Sequence, residues 1–215
     1  IKGNATLLRR MGCADDEALD SIENEVDRLT RMVSDLLLLA QAESGKLSLD
    51  IRCVELDELL LEVLKQTKVL TQGRIKCSLG DFDQVQVCGD RDRLKQVLLN
   101  LVGNAIKYTP NGGEIVVGLG KMNDQAQLTV TDNGPGIPEE ELPHIFERFY
   151  RTEKARTRSR DGKGYGLGLS IAYWITRNHG GHIDVESKIG EGTTFTVWLP
   201  VKTNGCEQSP EMFNE

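Results

Sequence analysis

The chain has 215 residues, 39% hydrophobic and 27% charged, with a formal net charge of -7. Such usage excludes disordered, fibrous and membrane-embedded classes, and the longest apolar run, Leu36 to Ala40, is far too short to span a bilayer. The negative surplus argues against nonspecific attraction to nucleic acid or to an anionic membrane surface.

The chain opens on Ile1 without an initiator methionine, so a lost upstream half is expected, and membrane association only through that half. Residues 1–11, with Ala5, Leu7, Leu8 and Met11, read as the tail of a helix that turns at Gly12. From Leu19 the residues Leu19, Ile22, Val26, Leu29, Val33, Leu36 and Ala40 recur at steps of three and four, the pattern of a bundle seam. Asp15, Asp16, Glu17 and Asp20 favour a helix start there, and Ser44-Gly45 a stop. One helix cannot bury its own stripe. Residues 1–50 are read as a partial helical hairpin, either dimerising into a four-helix bundle or folded back on its own chain; a stripe running the full length favours the homodimer.

Beyond Gly45 the pattern changes. Leu56 to Leu64 is helical, Ile75 to Leu79 and Val85 to Cys88 are strand-like, and Asp90 caps a helix reaching Tyr108. Ile115 to Leu119 and Ala126 to Thr131 read as strands, Pro138 to Phe146 and Leu167 to Asn178 as helical, and His182 to Ser187 and Thr193 to Leu199 as final strands. The mixed order predicts, over residues 53–200, an α/β sandwich: a mixed sheet with helices on one face. Residues 201–215 read as a polar tail. Five cysteines at 13, 53, 77, 88 and 206 include no CxxC pair and are odd in number, suggesting neither a zinc site nor a disulfide framework, and a reducing cytoplasm is expected.

Three stretches carry chemistry. On the helix ending at Tyr108, Asn100, Asn104 and Lys107 share one face, opposite Leu94, Leu98, Leu101, Val102 and Ala105. Two amides at the edge of a core-facing helix are compatible with plain solvation; they are also hard, neutral oxygen ligands suited to Mg²⁺, and a lysine one turn on suits phosphate. Asp132-Asn133-Gly134-Pro135-Gly136-Ile137-Pro138 follows a strand. It is an ordinary turn sequence, yet a carboxylate fixed at a strand end can accept from the exocyclic amine of adenine, with glycines admitting the ring closely. Gly162, Gly164, Gly166 and Gly168 alternate into an apolar helix, offering amides and a positive helix end to phosphates. Before them, Arg151, Lys154, Arg156, Arg158, Arg160 and Lys163 face only Glu153 and Asp161. No GxGxxG or GxxxxGK[ST] occurs, so neither a Rossmann nor a P-loop reading is supported.

Together and in this order the motifs resemble the histidine kinase branch of the family shared with DNA gyrase, mismatch-repair ATPases and heat-shock ATPase chaperones. Residues 98–108 resemble its N box, 132–138 its first glycine box, Ile145 to Arg151 its F box, Gly164 to Gly168 its second glycine box, and Gly190 to Phe195 its last. The resemblance implies that Asp132, with Gly134, Gly136 and Ile137, receives the adenine of ATP, and that Thr193 or Thr194 lines that side. It implies that Asn100 and Asn104 hold Mg²⁺ and that Lys107 and Tyr108 contact nucleotide. Gly164, Tyr165, Gly166, Leu167, Gly168 and Leu169 would surround the phosphates, and Arg151 to Lys163 would form a lid. Arg148 or Arg151 would act on the moving phosphoryl group.

Where the hydrolysing relatives carry a glutamate, this chain has Asn100, which cannot take a proton from water, so the γ-phosphate is expected to be kept for another acceptor. The family's phosphorylated histidine is missing, since His144, His179 and His182 lack its context, and structural or surface roles are expected for all three. Tyr165 stands where the family usually has a smaller or aliphatic residue. The expected function is phosphoryl transfer from Mg-ATP to a histidine of the intact protein and on to an aspartate of a response-regulator receiver domain. An ATP-hydrolysing clamp and a catalytically silent nucleotide-responsive dimerisation module are the alternatives.

Overall fold

The computed structural model describes residues 16–44, 48–151, 165–201 and 206. The expectations for residues 1–11, the stop at Gly45, the lid from Arg151 to Lys163 except Arg151 itself, and most of the tail lie outside them.

The element order is α1 (Asp16–Glu43), β1 (Arg52–Glu55), α2 (Leu56–Thr71), β2 (Lys76–Phe82), β3 (Gln86–Gly89), α3 (Arg91–Tyr108), β4 (Glu114–Met122) and β5 (Gln125–Asp132). A short 3-10 turn (Glu139–His144), α4 (Gly168–Asn178), β6 (His182–Lys188) and β7 (Gly192–Pro200) complete it. Five strands form one mixed sheet in the order β2-β4-β5-β7-β6, and β1 pairs with β3 in a separate two-stranded ribbon. Within the larger sheet β2 and β4 run parallel and the other pairs antiparallel. Residues alternate between buried and half-buried along β5 and β7, as expected when one face carries the core and the other meets solvent. The helices cover the buried face, so the α/β sandwich is present.

Four details differ from the sequence reading. The segment near Pro138 to Phe146 makes only the 3-10 turn, because Pro138 and Pro143 have no N–H to donate and little length remains between them. The strand β1 falls in a stretch without alternation, and α2 continues to Thr71 before Gln72 ends it in the left-handed region at φ 49°. Cys88 and Cys206 form a disulfide, with Cα atoms 5.3 Å apart. Cysteine spacing could not show this bond, because its partners are 118 residues apart and only the fold brings them together.

The amphipathic α1 has two working faces. Leu39 and Ala42 are buried in the common core, with Met32 packed against it. The expected seam is turned away: Ile22, Leu29 and Val33 are exposed, together with Leu37. Leu19 and Leu36, also assigned to the seam, are buried and half-buried.

The start of α3 is fixed from three directions. Asp90 caps it by accepting from the N–H groups of Asp92 and Arg93, each at 3.1 Å, and also accepts from the N–H of Asp50 at 3.1 Å. The N–H of Asp90 itself donates to Nε2 of His179 at 2.9 Å, while Nδ1 of His179 meets the carbonyl of Ile175 at 2.8 Å. A buried neutral imidazole thus joins the end of α4 to the beginning of α3. Burial lowers its pKa below the ordinary 6.5, opposed by the Ile175 carbonyl and by Asp90. The unfolded chain therefore binds this proton first, so the stabilisation is complete above pH 6.5 and is lost as pH falls below it towards the folded value. Burial raises Asp35 and Asp132 from 3.8, and these carboxyls act in the opposite sense at more acidic pH. The urea midpoint is expected to fall between about pH 7.5 and pH 5.5, and His179→Gln to flatten that slope; an unchanged slope would remove His179 as its source.

Candidate functional site

With Leu94, Leu98, Leu101, Val102 and Ala105 buried, the rotation of α3 is set, and Asn100, Asn104 and Lys107 are turned to a cavity beside the helix. Nδ2 of Asn100 is buried there without a hydrogen-bond partner. A buried amide end without a partner is costly and is suited to a polar ligand, and exchanging its oxygen and nitrogen leaves that need in place. Lys107 holds its ammonium 4.8 Å from the ring centroid of Tyr108.

Facing this helix is the end of β5. Asp132 is 8% exposed, and its Oδ1 accepts from the N–H of Gly134 at 2.8 Å. Burial raises its pKa, while the N–H groups of Gly134 and Thr193 pull it back. Asn133 continues the ladder, its Oδ1 accepting from the N–H of Glu114 at 2.8 Å. The loop after it packs on the β6–β7 turn: a Cβ on Gly136, at φ +69°, would lie 2.1 Å from the carbonyl oxygen of Lys188. Ser187 Oγ ties the two together, receiving the N–H of Ile137 at 2.8 Å and lying 2.8 Å from Oγ1 of Thr193.

The third wall is the glycine run. Phe149 donates its N–H to the carbonyl of Gly166 at 3.0 Å, so residues on either side of the 152–164 segment are hydrogen-bonded to each other. A Cβ on Gly166, at φ +74°, would lie 2.5 Å from the Tyr150 carbonyl oxygen, and one on Gly168 would touch Oδ1 of Asn100 at 3.4 Å. The first turn of α4 is thereby set against the amide of α3.

These walls enclose a cavity of about 700 Å³, within the usual range for small-molecule sites. It brings together Asn100, Asn104, Lys107, Tyr108, Asp132, Gly136, Ile137, Arg151, Tyr165, Gly166, Leu167, Gly168, Leu169 and Thr193. Gly134 lies behind the wall as the donor to Asp132. Of the two pairs of alternatives, Thr193 and Arg151 line the cavity, whereas Thr194 alternates onto the other sheet face, 3.0 Å from Oγ1 of Thr131, and Arg148 is not part of the lining. Gly164 falls outside the described residues.

Sequence reasoning missed Ser187 and the contribution of α1, whose Arg28, Arg31, Met32 and Asp35 also line the cavity. Arg28 and Asp35 stand one heptad apart and seven further on is buried Ala42, but nothing local says that this face docks. Leu99, Gly103, Pro135, Pro138, Glu141, Ile145, Tyr150 and Phe195 complete the lining. The cavity thus combines a buried carboxylate acceptor and apolar walls with two amides, an ammonium and a helix start, groups suited respectively to an aromatic amine and to anionic oxygens.

The family model described as "Histidine kinase-, DNA gyrase B-, and HSP90-like ATPase" matches residues 89–203, and that of the "His Kinase A (phospho-acceptor) domain" matches residues 1–45. The sensor histidine kinase YkoH of Bacillus subtilis is 35% identical over 209 residues, covering 95% of this chain and 45% of that protein. The crystal structure of full-length ShkA in complex with AMPPNP superposes with a TM-score of 0.76 at 25% identity, covering 88% of this chain and 39% of that one. The histidine kinase ThkA, crystallised with the response regulator TrrA, gives a TM-score of 0.67 at 28% identity, covering 94% of this chain and 57% of that one. The chain spans less than half the length of the curated relatives it matches. By the match over more than half its length, the chain belongs to the histidine kinase-, DNA gyrase B- and HSP90-like ATPase family, with a His Kinase A segment ahead of its ATPase domain.

Proposed function

We propose that the chain is the catalytic part of a two-component sensor kinase, which binds Mg-ATP through residues 53–200 and passes the γ-phosphoryl group to a histidine of the intact protein. A response-regulator aspartate is then the next acceptor. The observation that carries this reading is the placement of buried Asp132 in one cavity with Asn100, Asn104 and the start of α4. Asp132 accepts from the adenine amine, and Gly136, Ile137 and Thr193 bring the ring against it. The ammonium of Lys107 and the amides from Gly166 to Leu169 take the phosphates.

The carboxamide oxygens of Asn100 and Asn104, both at the cavity, are the hard neutral donors that would hold a divalent ion at this place. Mg²⁺ held there would offset phosphate charge. Asn100 and Asn104 orient the nucleotide and, as amides, supply no base to water themselves. Arg151 is the better candidate than Arg148 for the moving phosphoryl group, because it lines the cavity. The match to a phospho-acceptor family at residues 1–45 and the ThkA–TrrA complex support both the acceptor and the response-regulator partner. A cytoplasmic position belongs to this reading because ATP is its phosphoryl donor. Among the described residues no helix is long and apolar enough to cross a membrane. Nucleic acid has no part in this reading.

Asp132→Asn is expected to weaken Mg-ATP binding by about ten- to a hundredfold, from loss of a charge-assisted hydrogen bond. The melting temperature should hold or rise, since a buried charge is removed. Calorimetry and thermal melting check this, and unchanged affinity would take Asp132 out of the site.

The exposed face of α1 carrying Ile22, Leu29, Val33 and Leu37 is read as the seam of a homodimer through residues 1–50. Sedimentation is expected to show weak, concentration-dependent dimers that Leu29→Glu with Val33→Glu disperses without changing nucleotide affinity. A tight dimer insensitive to both substitutions would place the interface elsewhere.

A further inference from the structure

We propose that Arg28 is a positioning residue for the nucleotide site: by holding Tyr165 it orders the adjoining glycine run, so that docking of α1 and nucleotide binding strengthen each other. This rests on the reading of the cavity as a nucleotide site.

The guanidinium carbon of Arg28 lies 4.8 Å from the ring centroid of Tyr165, a cation–π contact, and both residues line the cavity. Arg28 is held from its other side by Glu25 at 3.3 Å. Tyr165 immediately precedes Gly166, whose carbonyl receives the N–H of Phe149 and whose backbone sits too close to Phe149 and Tyr150 to admit a side chain. Gly166 is therefore fixed by Phe149 and Tyr150, while the ring of Tyr165 meets Arg28 of α1. A smaller or aliphatic residue at 165, as the family resemblance leads one to expect, would offer no face to the cation.

The sign of the effect follows from the space that remains. With α1 docked, the cavity is still about 700 Å³, so the helix is a wall and not a plug. The exposed stripe of Ile22, Leu29 and Val33 is separate from this wall, so walling the site and pairing with a second copy do not compete. Two events that both order the glycine run are linked reciprocally: a docked α1 tightens nucleotide binding, and nucleotide tightens docking by the same factor.

The test is calorimetric titration of the whole chain with AMPPNP and Mg²⁺. Arg28→Met and Tyr165→Leu are each expected to weaken binding about three- to tenfold, the double variant no more than either single one, and Arg28→Lys to recover most of the loss. Hydrogen exchange gives a second readout: AMPPNP should slow the amides of Met32 to Ala42 in the parent and fail to do so in Arg28→Met. Additive losses, unchanged binding in Arg28→Met, or equal loss in Arg28→Lys would each overturn the proposal. A parent chain that binds no AMPPNP would instead defeat the nucleotide reading on which it rests.

Discussion

A carboxylate can be buried at the end of a strand only if its oxygens are met, and the nucleotide end of this molecule is arranged around that requirement at Asp132. The N–H of Gly134 reaches it because the chain turns sharply after Asn133. The antiparallel register of β5 with β7 places Thr193 opposite. Gly192 permits the approach, since a Cβ there would lie 1.9 Å from the Asp132 carbonyl oxygen, and its φ of +127° is one that L side chains rarely adopt. Burial outweighs these two N–H groups and raises its pKa. In the proposed reading, a ligand that donates an amine would add a further hydrogen bond to this acceptor.

The opposite end of the cavity is organised by helix starts. Asp90 secures α3 and, through His179, the end of α4, so that two helices bring an amide and a glycine into contact at Asn100 and Gly168. Stability and site geometry share this junction. In the proposed reading, the amide at residue 100 would favour keeping the phosphoryl group over hydrolysis, because an amide does not deprotonate water. The same cavity borders α1, whose other face is exposed. If that face is a bundle seam as proposed, one helix would join seam and cavity without a dedicated relay.

Much of this was legible in the sequence, for physical reasons. The heptad stripe, the Asp90 cap, the glycine boxes and the strand alternation are local signals, and the elements they predict are present. Asp132, Asn100, Asn104 and Lys107 converge because the buried faces of α3 and β5 leave them one way to point. What local patterns cannot carry was missed. The parallel pairing of β2 with β4, the disulfide between Cys88 and Cys206 and the docking of α1 all join distant residues. Thr193 and Thr194 were left as alternatives, and only the register with β5 distinguishes them, since adjacent strand residues face opposite ways. Tyr165 stood out as a departure from its family, but its partner Arg28 could not be named without the fold.

The measurement that bears most directly on phosphoryl transfer to histidine is labelling with γ-labelled ATP and Mg²⁺. It compares this chain with the same chain extended upstream through the acceptor histidine expected there. The account predicts that the extended chain takes label and this one does not, because a positioned imidazole and a nearby carboxylate are required besides the nucleotide site. The label should be a phosphoramidate, lost in acid and kept in alkali. Strong labelling of this chain alone, or an acid-stable label on the extended one, would contradict the account.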